Sequence, residues 1–289
     1  MVAVFDSPDY LFTRQQINST GFIKRVFYLI HGILIGIIHK YFDGSLFTKL
    51  INLFIRRKVK LYFEAPLYYG IEGDTKFYFP NKRITRLLKG IDKNSKEIFN
   101  HYLLDKIDFS SGDTIVDCGA NVGELYFELD KVIKKLNYIA FEPDPEVFQC
   151  LEKNVKKDNT LLIPQALSNQ SAHEKLYINT DDGDTSLVFS GSEAFIEVET
   201  LILDELNISD IKLIKMDAEG HELEVLQGSS NTLKSTEYVS VDFGPEKGTK
   251  GDNTIPDVTN FLYENNFKMI FANTDRHIGL FKNEVLCKS

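Results

Sequence analysis

Residues 215–222 read KMDAEGHE and place Asp217, Glu219, His221 and Glu222 directly after the apolar run IKLI. Histidine titrates near neutral pH, so His221 has roughly the proton affinity a general base needs, and Asp217 can orient it or be the base itself. A positioned base contributes about 10²–10⁴ in rate when the proton must leave a group as weakly acidic as a hydroxyl. Asp217 and Glu219, with the Asp242 that closes the later run YVSVDF, also have the oxygen ligands a Mg²⁺ ion takes, and its charge would lower a hydroxyl pKa directly. Direct acid–base chemistry is the preferred reading, because oxygen ligands at this spacing do not establish a metal. Glu222 and Glu224 read as acids in a helix's first turn that complement its dipole. The other histidines are weaker candidates: His31 and His39 lie in an N-terminal apolar segment, and His101, His173 and His277 read as surface or packing residues.

A second cluster lies about a hundred residues earlier. In TIVDCGANVGEL, Asp117 closes an apolar run, and Gly119 and Gly123 bracket Ala120, Asn121 and Val122. Glycines let the main chain approach a ligand closely, and a strand-to-helix turn in an open α/β sheet opens a crevice at the strands' carboxyl ends. The pattern DxGxNxG lacks the third glycine of a dinucleotide turn, and Asp117 suits a cationic amino-acid or sulfonium ligand better than pyrophosphate. Glu142 ends the next apolar run, where an acid can accept both hydrogen bonds of a ribose diol. Together the two features specify an adenosine-containing ligand.

The elements that must hold these residues alternate. TIVDC, NYIAFE, TLLIPQAL, IKLIKMD and YVSVDF read as buried strands, and GELYFELDKVIKKL, DPEVFQCLEKNVKK and HELEVLQGSSNTL as helices, with Asp144 the N-cap of the second and Pro145 at its first position. Such alternation predicts a mostly parallel sheet covered by helices. EKLYIN and AFIEVETL read as additional strands around the polar loop TDDGDTS, and FKMIFAN and HIGLFKN as an antiparallel pair at one sheet edge. Upstream, SKEIFNHYLLDKI predicts a helix with Ile98, Tyr102, Leu103 and Ile107 on one face, and LYYGIEGDTKFYFP two strands joined at Glu72-Gly73-Asp74.

With 289 residues, 43% of them apolar, the chain has ample material for a core. Its three cysteines, Cys118, Cys150 and Cys287, form no CxxC or disulfide framework, which predicts a reducing, cytoplasmic setting. The net charge of −9 argues against a nucleic-acid partner. That charge is unevenly spread: residues 1–65 hold nine Lys/Arg against four Asp/Glu, leaving 24 against 38 in residues 66–289. The basic part contains VFYLIHGILIGII, an apolar run of 13 residues that falls short of the roughly 20 needed to span a bilayer. LFTKLINLFIRRKVK follows, with Leu46, Leu50, Leu53 and Phe54 on one helical face and Lys49, Arg56 and Arg57 away from it. Two readings stand for residues 22–60: helices packed on the main domain, or peripheral attachment to the inner face of an anionic membrane.

DCGANVGE, FEPDPEVF, ALS, VETLILDEL, IKMDAEGHELEVLQG and VDFGPE occur in this order between residues 117 and 246. In order and spacing they resemble the FkbM family of S-adenosylmethionine-dependent methyltransferases. The resemblance covers about residues 95–289 and implies a Rossmann-like methyltransferase fold, a mostly parallel seven-stranded sheet with an antiparallel terminal strand. That assigns residues 66–289 to a methyltransferase domain with its core at 95–289, and residues 1–65 to a helical N-terminal segment. The resemblance further implies O-methylation of a sugar, glycan or glycolipid. Asp117, Gly119, Ala120, Asn121 and Gly123 would then surround the methionine end of the cofactor, Glu142 and Pro143 its ribose, and Gln165 and Ala166 its adenine. The competing readings are a cofactor-binding scaffold without turnover and a methyltransferase for another acceptor such as nucleic acid.

Overall fold

The structure is a computed structural model that describes residues 21–178, 185–189, 194–244, 247–248 and 252–286. Cys287, most of the polar loop at 180–186 and the last two residues of VDFGPE lie outside the described residues. The chain divides into two compact units, residues 1–94 and 95–289.

The first unit begins with two helices, α1 (Phe22–Tyr41) and α2 (Gly44–Phe54). An antiparallel meander follows, β1 (Lys60–Glu64), β2 (Leu67–Glu72) and β3 (Thr75–Phe79), and then a 3₁₀ segment, Lys82–Lys89. The expected two strands meet at the predicted turn, with Glu72 paired to Thr75. Helix α2 stops at Phe54, earlier than the apolar and basic pattern suggested, because residues 60–64 become a strand. Asn52 stitches the two elements, donating to the Leu61 carbonyl at 2.6 Å and accepting from its N–H at 2.9 Å. Helix α1 is longer than its 13-residue apolar run. At 20 residues it is long and apolar enough to cross a membrane, by length and composition alone.

Helix α3 (Ile91–His101) begins at the end of the first unit and leads into the second, to β4 (Thr114–Cys118), α4 (Glu124–Val132), β5 (Asn137–Phe141), α5 (Pro145–Asn154) and β6 (Thr160–Ile163). Asp144 caps α5 as expected, accepting from Glu146 N at 2.9 Å and Val147 N at 3.2 Å. TLLIPQAL, read as one strand, is two: β6 stays in the main sheet, whereas β7 (Ala166–Leu167) joins a second sheet. Pro164 stands at the break, where its missing N–H would interrupt a ladder. That second sheet also takes β8 (His173–Ile178), β9 (Thr185–Ser186) and β10 (Phe195–Leu201), in the order β7-β10-β8-β9.

The chain then returns to the main sheet with β11 (Ile211–Met216), α6 (Glu222–Gln227), β12 (Thr236–Asp242), α7 (Ile255–Glu264), β13 (Phe267–Asn273) and β14 (Ile278–Asn283). The order is β13-β14-β12-β11-β4-β5-β6, parallel from β12 to β6, with β14 antiparallel to both neighbours. This is the predicted Rossmann-like methyltransferase sheet. One detail is additional: the last strand inserts between β12 and β13 instead of lying outermost. Separate apolar clusters pack against the sheet, one built on Leu125, Leu129 and Tyr138, the other on Val116, Leu226 and Val239.

Candidate active site

The carboxyl ends of β4, β5 and β11 meet around one crevice of about 710 Å³, open to solvent. The turn after β4 forms its floor. Gly119 N and Ala120 N both donate to the Phe141 carbonyl, at 3.1 and 3.0 Å, which bends the chain back over β5. Gly119 has φ +72°, and a Cβ there would overlap the Asp217 carbonyl oxygen, so only glycine fits. Glu142 lies across this turn. Its carboxylate accepts from Asn121 N at 2.9 Å and Asp144 N at 3.0 Å, and burial pushes its pKa up to about 7 against those bonds.

Beneath the turn runs a buried polar chain. Asp117 accepts from the Tyr138 hydroxyl at 2.6 Å and pairs with Lys215 at 3.1 Å. Lys215 Nζ also donates to the Gly119 and Cys118 carbonyls, at 2.7 and 3.2 Å. Burial alone would lower the Lys215 pKa, but Asp117 and Asp217 outweigh it and hold the ammonium charged. This ion pair therefore ties β4 to β11 and fixes the turn from below.

On the opposite wall, Asp217 accepts a 2.5 Å hydrogen bond from the Tyr102 hydroxyl, whose pKa burial and the Asp217 charge raise well above its usual value. Asp242, at the end of β12, is pushed up to about 7 by burial and then by Asp217. His221 touches Ser168 Oγ through Nε2 at 3.0 Å and faces Glu224 through Nδ1 at 3.8 Å. Burial lowers its pKa, Glu224 opposing, which favours the neutral ring. The described partners of His221 are thus Ser168 and Glu224, while Asp217 is held by Tyr102; the expected orientation of one by the other is not among the described contacts. Glu222 stands in the first turn of α6, as expected, though not at its surface. It is buried and braces the turn, accepting from Ala218 N at 3.3 Å and Gly220 N at 2.9 Å.

The Methyltransferase FkbM domain model matches residues 117–269, just over half of the chain, and takes in every residue that lines the crevice, with Tyr102 behind Asp217 outside it. The chain belongs to the FkbM methyltransferase family. A hexuronic acid methyltransferase of Haloferax volcanii is 29% identical over 144 residues, covering 45% of this chain and 55% of the relative. A 2-O-methyltransferase of Sinorhizobium fredii is 25% identical over 192 residues, covering 59% and 79%. The crystal structure of an FkbM methyltransferase from Methylobacillus flagellatus aligns with TM-score 0.46 at 16% identity, over 70% of this chain and 55% of that one. The chain thus spans little more than half the length of the Haloferax and Methylobacillus proteins.

Of the residues singled out in the sequence, the FkbM crevice brings together Gly119, Asn121, Glu142, Pro143 and Ala166 on one side and Asp217, Glu219 and His221 on the other. Asp117 does not line it; its carboxylate is spent on Tyr138 and Lys215. Ala120, Gly123 and Asp242 do not line it either, and Gln165 bonds to Glu199 at 2.7 Å instead. Among the described residues no group of three or more His, Cys, Asp or Glu is set to hold a metal ion; of the three Mg²⁺ candidates, Asp217 and Glu219 line the crevice and Asp242 does not. Sequence reasoning missed three residues. Tyr102 looked like one more apolar position on a helix face, Lys215 was masked by the acids after it, and Ser168 was noted only within ALS.

The family implies S-adenosylmethionine, and the residues fit it: a tight glycine turn at the crevice that a Cβ at Gly119 would fill, and a carboxylate beside it. Glu142 makes this fit testable through pH. Its folded pKa of about 7 exceeds the ordinary 4.5, so its contribution to stability is full below 4.5 and is lost as pH rises through 7. Asp242 acts in the same sense. Glu142→Gln should therefore flatten the fall in stability between pH 5 and 8, while its amide nitrogen cannot accept one of the two bonds that Asn121 N and Asp144 N now make. It should also weaken cofactor binding, since each lost charge-assisted bond is worth on the order of 1.5–3 kcal/mol. Thermal melts from pH 4 to 8 and calorimetry check both; an unchanged pH profile removes Glu142 as its source, and unchanged affinity removes the ribose contact.

Proposed function

We propose that the chain is an S-adenosylmethionine-dependent O-methyltransferase whose acceptor is a hydroxyl of a sugar, carried on a glycan or glycolipid. The observation that carries this reading is that one crevice is lined by Gly119 and Asn121 of the glycine turn, by Glu142, and by Asp217 and His221. Two of the matched relatives bear names of sugar or O-directed enzymes, a hexuronic acid methyltransferase and a 2-O-methyltransferase. When bound, the cofactor supplies a methyl group made electrophilic by its sulfonium.

The remaining work falls to this chain's residues. Gly119 and Asn121 would hold the cofactor by main-chain approach, and Glu142 would accept from its ribose diol. His221, anchored by Ser168, would take the acceptor's proton, and Asp217, anchored by Tyr102, would accept a hydrogen bond from a neighbouring hydroxyl of the sugar and so orient it. Holding that hydroxyl in line contributes as much as the base, several kcal/mol when the reacting atoms are well oriented. The acidic charge of residues 66–289 disfavours a nucleic-acid acceptor.

Incubating the protein with methyl-labelled S-adenosylmethionine and an extract of native glycans and lipids tests the reading. Label is expected as a methyl ether on a sugar oxygen. Label on nucleic acid alone, or cofactor binding with no transfer to any fraction, would overturn it.

A further inference from the structure

Helix α1 has two faces with different fates. Ile35 and Ile38 are 0% and 2% exposed, and His31 Nε2 bonds to the Phe54 carbonyl at 3.0 Å, so one side is packed within its own unit. The other side carries nine large exposed side chains, from Phe22 and Ile23 through Phe27, Ile30 and Ile33 to Tyr41. At 100° per residue these positions fall in one continuous arc of about 160°. Helix α2 continues the pattern, exposing Leu46 and Leu53 on the side where Lys49 is also exposed. An arc of this size is more apolar surface than a soluble fold leaves uncovered without a use.

Charge says what covers it. Residues 21–60 hold eight Lys/Arg against one acid, Asp43, which is itself paired with Lys82 at 3.0 Å. Lys40 falls within the arc at the C-terminal end of α1, Arg25 stands beside its edge, and Lys49, Arg56 and Lys58 are exposed further along the chain. Two copies of this face brought together would set like charges against each other. A bilayer with anionic headgroups answers both features at once, accepting the apolar side chains below and the lysines at headgroup level.

We infer that α1 and α2 form a membrane-attachment surface, with α1 lying in the plane of an anionic leaflet, apolar arc inward. Length alone would let the 20 residues of α1 span the hydrocarbon layer. The packed face decides against it, because a spanning helix is apolar around its whole circumference and would strip Ile35, Ile38 and His31 from their partners. Attachment of this kind places the protein at the cytoplasmic face of a membrane, within reach of lipid-carried acceptors.

The test is flotation of the full chain with phosphatidylcholine vesicles with and without phosphatidylglycerol. The protein should float with the anionic vesicles, at least tenfold less with neutral ones or at high salt, and alkaline carbonate should release it. Ile30→Glu/Ile33→Glu/Ile37→Glu should reduce binding at least tenfold, and Lys40→Glu/Lys49→Glu should do so selectively at low salt. Both change exposed positions, so circular dichroism and cofactor affinity should match the parent. No flotation overturns the inference, as does equal binding to neutral vesicles. Resistance to carbonate means a spanning helix, and a self-associated chain that the triple variant makes monomeric, without vesicle binding, means that a second copy covers the face.

Discussion

Lys215→Met should destabilise the second unit by about 3–5 kcal/mol, the usual consequence of removing one partner from a buried ion pair. Asp117 is fully buried and would be left charged or forced to take up a proton, with the Tyr138 hydroxyl as its remaining donor. The Gly119 and Cys118 carbonyls would lose their donor in the same step. Asp117→Asn in the Lys215→Met background should recover much of the loss, because it removes the charge that has no partner. Urea titration of the three proteins measures this. A midpoint unchanged in Lys215→Met would mean that the pair does not carry the turn, and failure of the double variant to recover would locate the damage in packing instead.

Asp217→Asn should lower the rate of methyl transfer at saturating substrate by about 10²-fold or more, with cofactor affinity nearly intact. Asparagine keeps the shape and an oxygen that accepts from Tyr102, so the loss reports charge and not collapse of the wall. The same substitution has a second signature. Asp217 is the largest cause after burial of the high Asp242 pKa, so that value should fall from about 7 toward the ordinary carboxylate range. Carboxyl chemical shifts followed through a pH titration read this out without any turnover. Unchanged rate in Asp217→Asn, and likewise in His221→Ala, would remove the catalytic role from this stretch; an unshifted Asp242 would show that the two carboxylates do not sense each other.

The parts of this protein that local chemistry dictates were readable in its residues. Gly119 and Gly123 announced a tight strand-to-helix turn, Asp144-Pro145 announced a helix start, and the run of apolar strands between helical segments announced a parallel sheet whose strand ends carry Glu142 and Asp217. Each of these signals lies within a few residues of its effect. Partnership across the sheet does not. Lys215 meets Asp117 because β4 and β11, almost a hundred residues apart, are neighbours in register. Tyr102 reaches Asp217 because the chain leaves α3 at Leu103, which adopts φ +59°, while Ser240 anchors the Tyr102 carbonyl at 2.6 Å. His221 finds Ser168 because Pro164 diverts the chain from β6 into the second sheet. The residue types able to bind and to move a proton were thus set by the sequence, but which carboxylate is neutralised in the core and which faces the crevice was decided by strand order, since burial and pairing fix a charge only once distant strands lie side by side.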